Sequence, residues 1–429
     1  MSRRRAALAC TAVALVLLAA CSGGEDTSPP TSAPELTTTR APRDNVDGVL
    51  RVGVLLPRTG DAAAYSPPLL AAIELAEQQI DGAGGVLGRP VQVLVRDEGS
   101  DPAEAAVALD TLLDEDEVDA VIGPASSQVA LALLDRVVQA GVVTCSPLNT
   151  AVDLTDHPDD GLYFRTMPSD RLQALALGRA VARSGRRTTG ILYPDDDYGR
   201  SFLDELRSEL ARFDNTVVSA EPYATTADDV ELPVRKVLAL EPETVAVIGL
   251  EQPGGRVLRE LRRQGSFPAA TPQFVSDGMR RDDLFDVVEP GRPDSVSGVQ
   301  GTAPSPVPTA ASAFVDAFHT ASPGTSLAYA SYAYDCMNLL ALASQAAGSD
   351  DPALVKQQME PTSRVGVTCR DFASCTPLLA DDRNIDYEGA SGKIEFDGNG
   401  DPTDAVYDVF EFADDGAVSV VRQISVTAP

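Results

Sequence analysis

From residue 49 onward, short and predominantly apolar runs alternate with stretches of helical periodicity, and this alternation constrains the fold more than any single motif. Residues 49–56, 91–95, 118–122 and 142–145 are such runs. They lack the every-other-residue polarity of a half-exposed strand, so they suit strands covered on both faces of a parallel sheet. Between them, Leu69, Ile73, Ala76 and Ile80 share one helical face, as do Ala130, Leu133, Leu134 and Val137, with Gly141 placed to stop the helix. The implied unit is βαβα, a mainly parallel sheet flanked by helices.

A second series begins near residue 185, with strand candidates at 190–193, 216–219, 244–248 and 273–275. One helical stripe carries Phe202, Leu206, Leu210 and Phe213; another carries Val257, Leu258 and Leu261 and ends at Gly265. Two α/β units of similar size predict two lobes with a cleft between them. Ligands of open α/β sheets bind beyond the carboxyl ends of the strands, so the loops there are where chemistry is to be sought. After residue 300 the pattern gives helices at 310–318 and 327–347, a turn-rich stretch, and strands at 393–396 and 406–412. These pieces are too few for a third domain. They are expected to complete the first two, giving lobe 1 as 49–167 plus 302–398 and lobe 2 as 168–301 plus 399–429.

Charge narrows the partners. The chain has 34 Lys+Arg against 64 Asp+Glu, a formal charge of −30, and such a field excludes nucleic acid, whose phosphates need clustered cations. Aromatic residues make up 5% and Trp is absent, so the core must come from Ala, Val and Leu. With only His157 and His319, histidine-dependent catalysis is constrained.

The first residues speak to compartment. Arg3, Arg4 and Arg5 precede an apolar run over 6–20, which is too short to span a bilayer comfortably and reads as a secretory signal. Its end, Leu18-Ala19-Ala20-Cys21, resembles a bacterial lipobox, implying cleavage after residue 20 and a lipid on Cys21 that anchors the chain to the cell membrane from outside the cytoplasm. Residues 21–48 are rich in Ser, Thr, Pro and Gly and cannot bury enough surface to offset their ordering entropy, so they form a tether. If Cys21 carries lipid, then Cys145, Cys336, Cys369 and Cys375 form an even set in an oxidising compartment, with three possible pairings. Cys369 and Cys375 are near neighbours and are the expected disulfide, whose short loop contributes about 2 kcal/mol; the spacing leaves Cys145 and Cys336 as a pair or as buried thiols.

The loops after the strands carry a resemblance. Val52-Gly53-Val54-Leu55-Leu56-Pro57-Arg58-Thr59-Gly60, then Ile80-Asp81-Gly82-Ala83-Gly84-Gly85-Val86-Leu87-Gly88-Arg89-Pro90, then Asp97 with Asp101-Pro102 are similar to the opening of the type I periplasmic binding proteins that serve branched-chain amino acid ABC transporters. The similarity continues through Ile122-Gly123-Pro124-Ala125-Ser126-Ser127, Ser146-Pro147-Leu148-Asn149-Thr150, Asp195 to Gly199, Ser276-Asp277-Gly278 and Ala333-Tyr334-Asp335, and so spans roughly 49–412. It implies a two-lobed α/β fold and a ligand-binding, non-enzymatic role.

Residue chemistry points the same way. Ser126 and Ser127 follow a strand and open a helix, where hydroxyls and free N–H groups favour an anion such as a carboxylate. By resemblance, Thr150 would share that carboxylate with Ser127, while the Leu148 carbonyl and the Asp277 carboxylate would take an α-ammonium. An acid at a strand end in a cleft stays charged only if solvated or paired, which makes Asp277 the clearest sign of a cationic guest. Tyr198 and Tyr65 match positions where the family sets aromatics against the ligand, although Ser66-Pro67-Pro68 follows Tyr65 where the family usually has a Gly. Asn149 stands in place of a small residue and is expected to add a donor and acceptor to the cleft. Leu250-Glu251 stands where some relatives carry an aromatic, and Glu251 would add a second negative charge.

Other chemistries find less support. Asp397-Gly398-Asn399-Gly400-Asp401 resembles the start of a calcium loop, but Pro402 and Asp408 occupy positions that need Gly and Glu, so a hairpin turn is expected. No Walker lysine motif, G-x-S-x-G elbow or HExxH occurs. The expectation is a lipid-anchored receptor that closes around an amino acid or related solute and delivers it to ABC permease subunits, with neither metal nor cofactor; a sensor of the same fold is the alternative, and a hydrolase the third.

Overall fold

The computed structural model describes residues 46–60, 62–227, 229–305 and 312–428. The expected signal peptide and Cys21 lie outside the described residues.

The first sheet is built from β1 (Arg51–Leu56), β2 (Gln92–Asp97), β3 (Ala120–Ile122), β4 (Val143–Ser146) and β5 (Tyr163–Arg165), all parallel, in the order β2-β1-β3-β4-β5. It is crossed by α1 (Ser66–Gly82), α2 (Pro102–Asp110) and α3 (Ser127–Ala140). The apolar runs are explained by packing: Val52, Val54 and Leu56 belong to the core on one face of the sheet and Leu55 to the core on the other. Gly141 ends α3 in the left-handed region at φ 61, as its position implies.

The chain then enters the second lobe through α4 (Asp170–Arg183), β6 (Thr188–Pro194), α5 (Asp197–Arg212), β7 (Thr216–Tyr223), α6 (Glu231–Leu238), β8 (Thr244–Val247), α7 (Glu251–Arg263), β9 (Gln273–Val275), α8 (Leu284–Val288) and β10 (Gln300–Pro304). It returns to the first through α9 (Ser312–Ala321), α10 (Ala330–Ala347), α11 (Pro352–Thr362), β11 (Val367–Cys369), α12 (Phe372–Ala380), β12 (Ile385–Gly389) and β13 (Gly392–Lys393). Finally β14 (Asp404–Phe412) and β15 (Val418–Thr427) close the second sheet, ordered β15-β14-β10-β9-β8-β6-β7. Its β7, β6, β8, β9 and β10 run parallel; β14 and β15 are antiparallel additions. Ile191 and Ala246 face one core of this sheet, Leu192 and Val247 the other.

Several expectations change. The stretch after 347 read as turn-rich holds α11 and α12, which accommodate Pro361 and Pro377 internally. The strand expected at 393–396 is only the two-residue β13, with a single bridge from Phe396 to Pro402. The boundary drawn between 301 and 302 falls inside β10, which pairs wholly with the second sheet. That strand has no apolar run to announce it; Gly301 is there because a Cβ would come within 2.4 Å of the Phe410 ring. The end of the expected tether is fixed in place, since the Asp47 and Gly48 amides donate to Asp350 Oδ2.

The cysteine ambiguity is also resolved. Cys145 of β4 is bonded to Cys336 of α10, closing a loop of 191 residues, and Cys369 to Cys375. The long bridge staples the returning helix to the sheet it covers.

Candidate functional site

The carboxyl ends of the two sheets face a common cavity of about 140 Å³. This is below the roughly 300–1,000 Å³ of drug-sized pockets and suits a single small solute. Ser126, Ser127, Leu148, Asn149, Thr150 and Tyr65 line it from the first lobe, and Tyr198, Leu250 and Asp277 from the second, so the structure brings together every ligand residue expected from sequence.

One wall is a cradle of hydroxyls and amides. β3 runs into Gly123 at φ 115, where a Cβ would meet Leu55 O at 2.0 Å, so only glycine permits the turn that delivers Ser126 to the N-cap of α3. Ser127 Oγ accepts from the Thr150 and Ala151 amides at 3.2 and 3.3 Å. With both lone pairs so engaged, its O–H is left to donate into the cavity, the arrangement an anion requires. The Asn149 amide does not add a donor and acceptor to the cleft as expected. Nδ2 donates to Pro124 O at 2.7 Å and Oδ1 accepts from Tyr163, because the neighbouring loop and strand satisfy it first.

The opposite wall is acidic. Asp277, just after β9, is 7% exposed; its Oδ1 accepts from Gln173 Nε2 at 2.9 Å and its Oδ2 from the Tyr329 hydroxyl at 3.1 Å. Burial raises its pKa, with those two hydrogen bonds opposing. Asp170, absent from the sequence-based site, sits in the first turn of α4, with its N–H donating to Thr150 O at 2.8 Å and its carboxylate oxygens buried without a hydrogen bond of good geometry. Burial holds this carboxyl well above the usual range; the nearby Thr150 side chain opposes, and the charge of Asp277 adds to the rise. No Lys or Arg lines the cavity. Asp277, a buried acid on a cavity wall without a cation, calls for a positive charge from the solute, whereas Asp170 lies behind the lining against the Thr150 loop and within the influence of Arg165.

Aromatics complete the enclosure. The Tyr65 hydroxyl donates to Gly278 O at 2.8 Å across the cleft, and its ring meets Tyr329 edge-on with centroids 5.8 Å apart. Tyr329 was expected inside a helix over 327–347; instead it precedes α10 in the left-handed region at φ 58, which aims its ring at the cavity. Tyr198 donates to Ser276 Oγ at 3.1 Å within its own lobe. Glu251 does not bring a second negative charge to this site: it lines a separate groove and pairs with Arg281.

The other acidic motif is a structural tie. Asp401 accepts from Arg165 Nε at 2.6 Å and Nη2 at 2.7 Å, a fully buried bidentate pair. His157 pairs with Asp135 away from the cleft.

Comparison with known proteins agrees with this architecture. An amino acid binding protein of Pseudomonas aeruginosa is 26% identical over 370 residues, covering 85% of this chain and 90% of that protein. A chemotactic signal transduction system substrate-binding protein of Halobacterium salinarum is 29% identical over 358 residues, covering 80% and 82%. Among solved structures, a leucine binding protein of Thermotoga maritima superposes with a TM-score of 0.74 at 21% identity, covering 88% of this chain and 99% of that one. With the two open sheets, the crossing segments and the cleft all in place, and with residues 49–416 matching the family described as periplasmic binding protein, the chain belongs to that family.

Proposed function

We propose that this protein is an extracytoplasmic receptor that closes its two lobes around an α-amino acid with an aliphatic side chain and presents it to an ABC permease. The observation that carries the reading is the polarity of the cavity. Ser127 directs a donor inward on one wall, while Asp277 presents a buried carboxyl on the other, with no Lys or Arg in the lining. An α-carboxylate and an α-ammonium answer these two walls together. The Leu148 carbonyl and Asp277 would take the ammonium, Ser127 and Thr150 the carboxylate. Leu250, Pro253, Leu148 and the Tyr65–Tyr329 pair leave an apolar and aromatic remainder for a side chain.

Closure is a population shift: contacts from both lobes favour the closed form once solute bridges them. Micromolar affinity corresponds to about −8 kcal/mol, within reach of two charge-assisted clusters and one aromatic wall. The names of the Pseudomonas and Thermotoga relatives support an amino-acid solute. A lipid on Cys21 would tether the receptor to the membrane, a reading supported by the Leu18-Ala19-Ala20-Cys21 sequence; metabolic labelling with a fatty acid, compared with C21A, tests it. Titration calorimetry of the purified protein against all common amino acids tests the solute, and absence of heat with every one of them would sink the reading. The Halobacterium relative, named for chemotactic signalling, supports a second reading in which the same closure reports solute to a membrane partner without transport. Solute uptake by cells lacking this receptor separates the two: a sensor's loss leaves uptake unchanged.

A further inference from the structure

Behind the cradle lies an acid that solute binding by itself does not explain. Glu98 follows β2 and is fully buried. Its Oε2 accepts from the Ala125 amide at 2.8 Å and its Oε1 from the Ser126 amide at 3.2 Å. Ala125 and Ser126 line the cavity and Glu98 does not, so the carboxyl grips this loop from the side away from the solute. Its own backbone is fixed as well, the N–H donating to Leu56 O and the carbonyl accepting from the Asp101 amide, both at 3.2 Å.

We propose that Glu98 is a positioning residue for solute capture: it holds the Ala125 and Ser126 amides so that the serine hydroxyls face the cavity, and capture of a solute carboxylate draws a proton from solvent onto it. The proposal rests on the amino-acid reading above, since it needs a carboxylate in the cradle.

The direction follows from what changes on binding. The two amide hydrogen bonds are made within the protein itself, so their strengthening on ionisation of Glu98 acts on the receptor with or without solute and leaves affinity unaltered. A second carboxylate on the other side of the same loop is present only in the complex, and there like charges disfavour the ionised form. Solute therefore prefers neutral Glu98. Burial already pushes this acid up to about 8, with the Ala125 and Ser126 amides opposing, so it titrates within an accessible range. No cation lies within ion-pair distance of it among the described residues. Asp97 is the neighbouring charge that bears on it and raises it further. Around it, Asp101 caps α2, the Glu104 carboxylate lies against Gly99, and Arg58 is exposed.

The test is calorimetry of L-leucine, L-isoleucine and L-valine binding at pH 8 in two buffers of different ionisation enthalpy, which counts protons taken up with no mutation. Fractional proton uptake by the unmodified protein is expected, with affinity falling between pH 7 and 9 toward roughly tenfold, the limit for a one-unit rise in the acid's pKa on binding. E98Q is expected to lose that uptake and the fall in affinity that goes with it; any proton exchange by Asp277 and Asp170, the buried acids near the solute ammonium, is common to both proteins. Because both proteins meet the same solute, titration of the solute's own ammonium cancels in their ratio. A clamp of purely structural value would lower the affinity of E98Q at every pH while leaving its profile parallel to that of the unmodified protein. Proton uptake by the unmodified protein no greater than that by E98Q overturns the role of Glu98 and spares the amino-acid reading. No binding of the three solutes at any pH overturns both.

Discussion

The Tyr329 hydroxyl of the first lobe donates to Asp277 Oδ2 of the second at 3.1 Å. The acid best placed for a solute cation thus also closes the cleft on the protein's own phenol. A hydrogen bond to a charged group contributes about 1.5–3 kcal/mol, enough to weight an open–closed equilibrium by more than tenfold. Y329F should therefore leave the solute-free protein more open, seen as a larger radius of gyration in solution scattering. An unchanged radius would mean that the Tyr65–Gly278 contact suffices to hold the lobes together.

Asp277 separates affinity from folding. D277A should weaken amino-acid binding by at least tenfold in calorimetry, because the solute ammonium loses its acceptor. The thermal midpoint should shift only modestly, since relief of the acid's desolvation offsets in part the loss of the hydrogen bonds from Gln173 and Tyr329. Unchanged affinity would take this residue out of the site.

Two buried acids predict an unusual pH dependence of stability. Burial raises Asp335 from 3.8 to about 6, against hydrogen bonds from Ser391, Tyr387 and Ala390, and raises Glu98 from 4.5 to about 8. In those windows the unfolded chain binds fewer protons than the folded one, so each group's contribution is present at low pH and is lost as pH rises through the folded pKa. Urea unfolding should show E98Q gaining on the unmodified protein from pH 5 to pH 8, by a few kcal/mol at most given about 1.4 kcal/mol per unit. A constant difference across that range would place the folded-state pKa of Glu98 at its ordinary value.

The Cys145–Cys336 bridge closes a loop of 191 residues between β4 and α10. Chain-entropy reasoning gives up to about 5 kcal/mol for so long a loop. C145A/C336A should lower the urea midpoint markedly, whereas C369A/C375A, with a separation of 6 residues, should cost about 2 kcal/mol. Equal losses would argue against an entropic origin.

The parallel strands were legible because burial on both faces leaves an unbroken apolar run, as in Val52 to Leu56. The cradle was legible because Ser126 and Ser127 sit at a strand-to-helix turn that local sequence dictates. β5 and β10 were not: three residues around Phe164, and a strand bearing Gly301 and Pro304, carry no periodicity, and both exist through the pairing of distant neighbours. Asp170 and Glu98 escaped notice because an acid in sequence reads as solvated surface, and only packing removes its water.

By itself the sequence determined the two α/β series, which follow from local periodicity, and the family resemblance, which short motifs carry and which implies most of the nine residues that meet around the cavity. Tertiary structure alone decided that Cys145 pairs with Cys336, that the Asn149 amide serves its own lobe, and that Tyr329 and Tyr65 reach across the cleft to Asp277 and Gly278. Each of these joins or withdraws groups far apart in the chain, and which donor a buried acceptor meets depends on where the backbone returns.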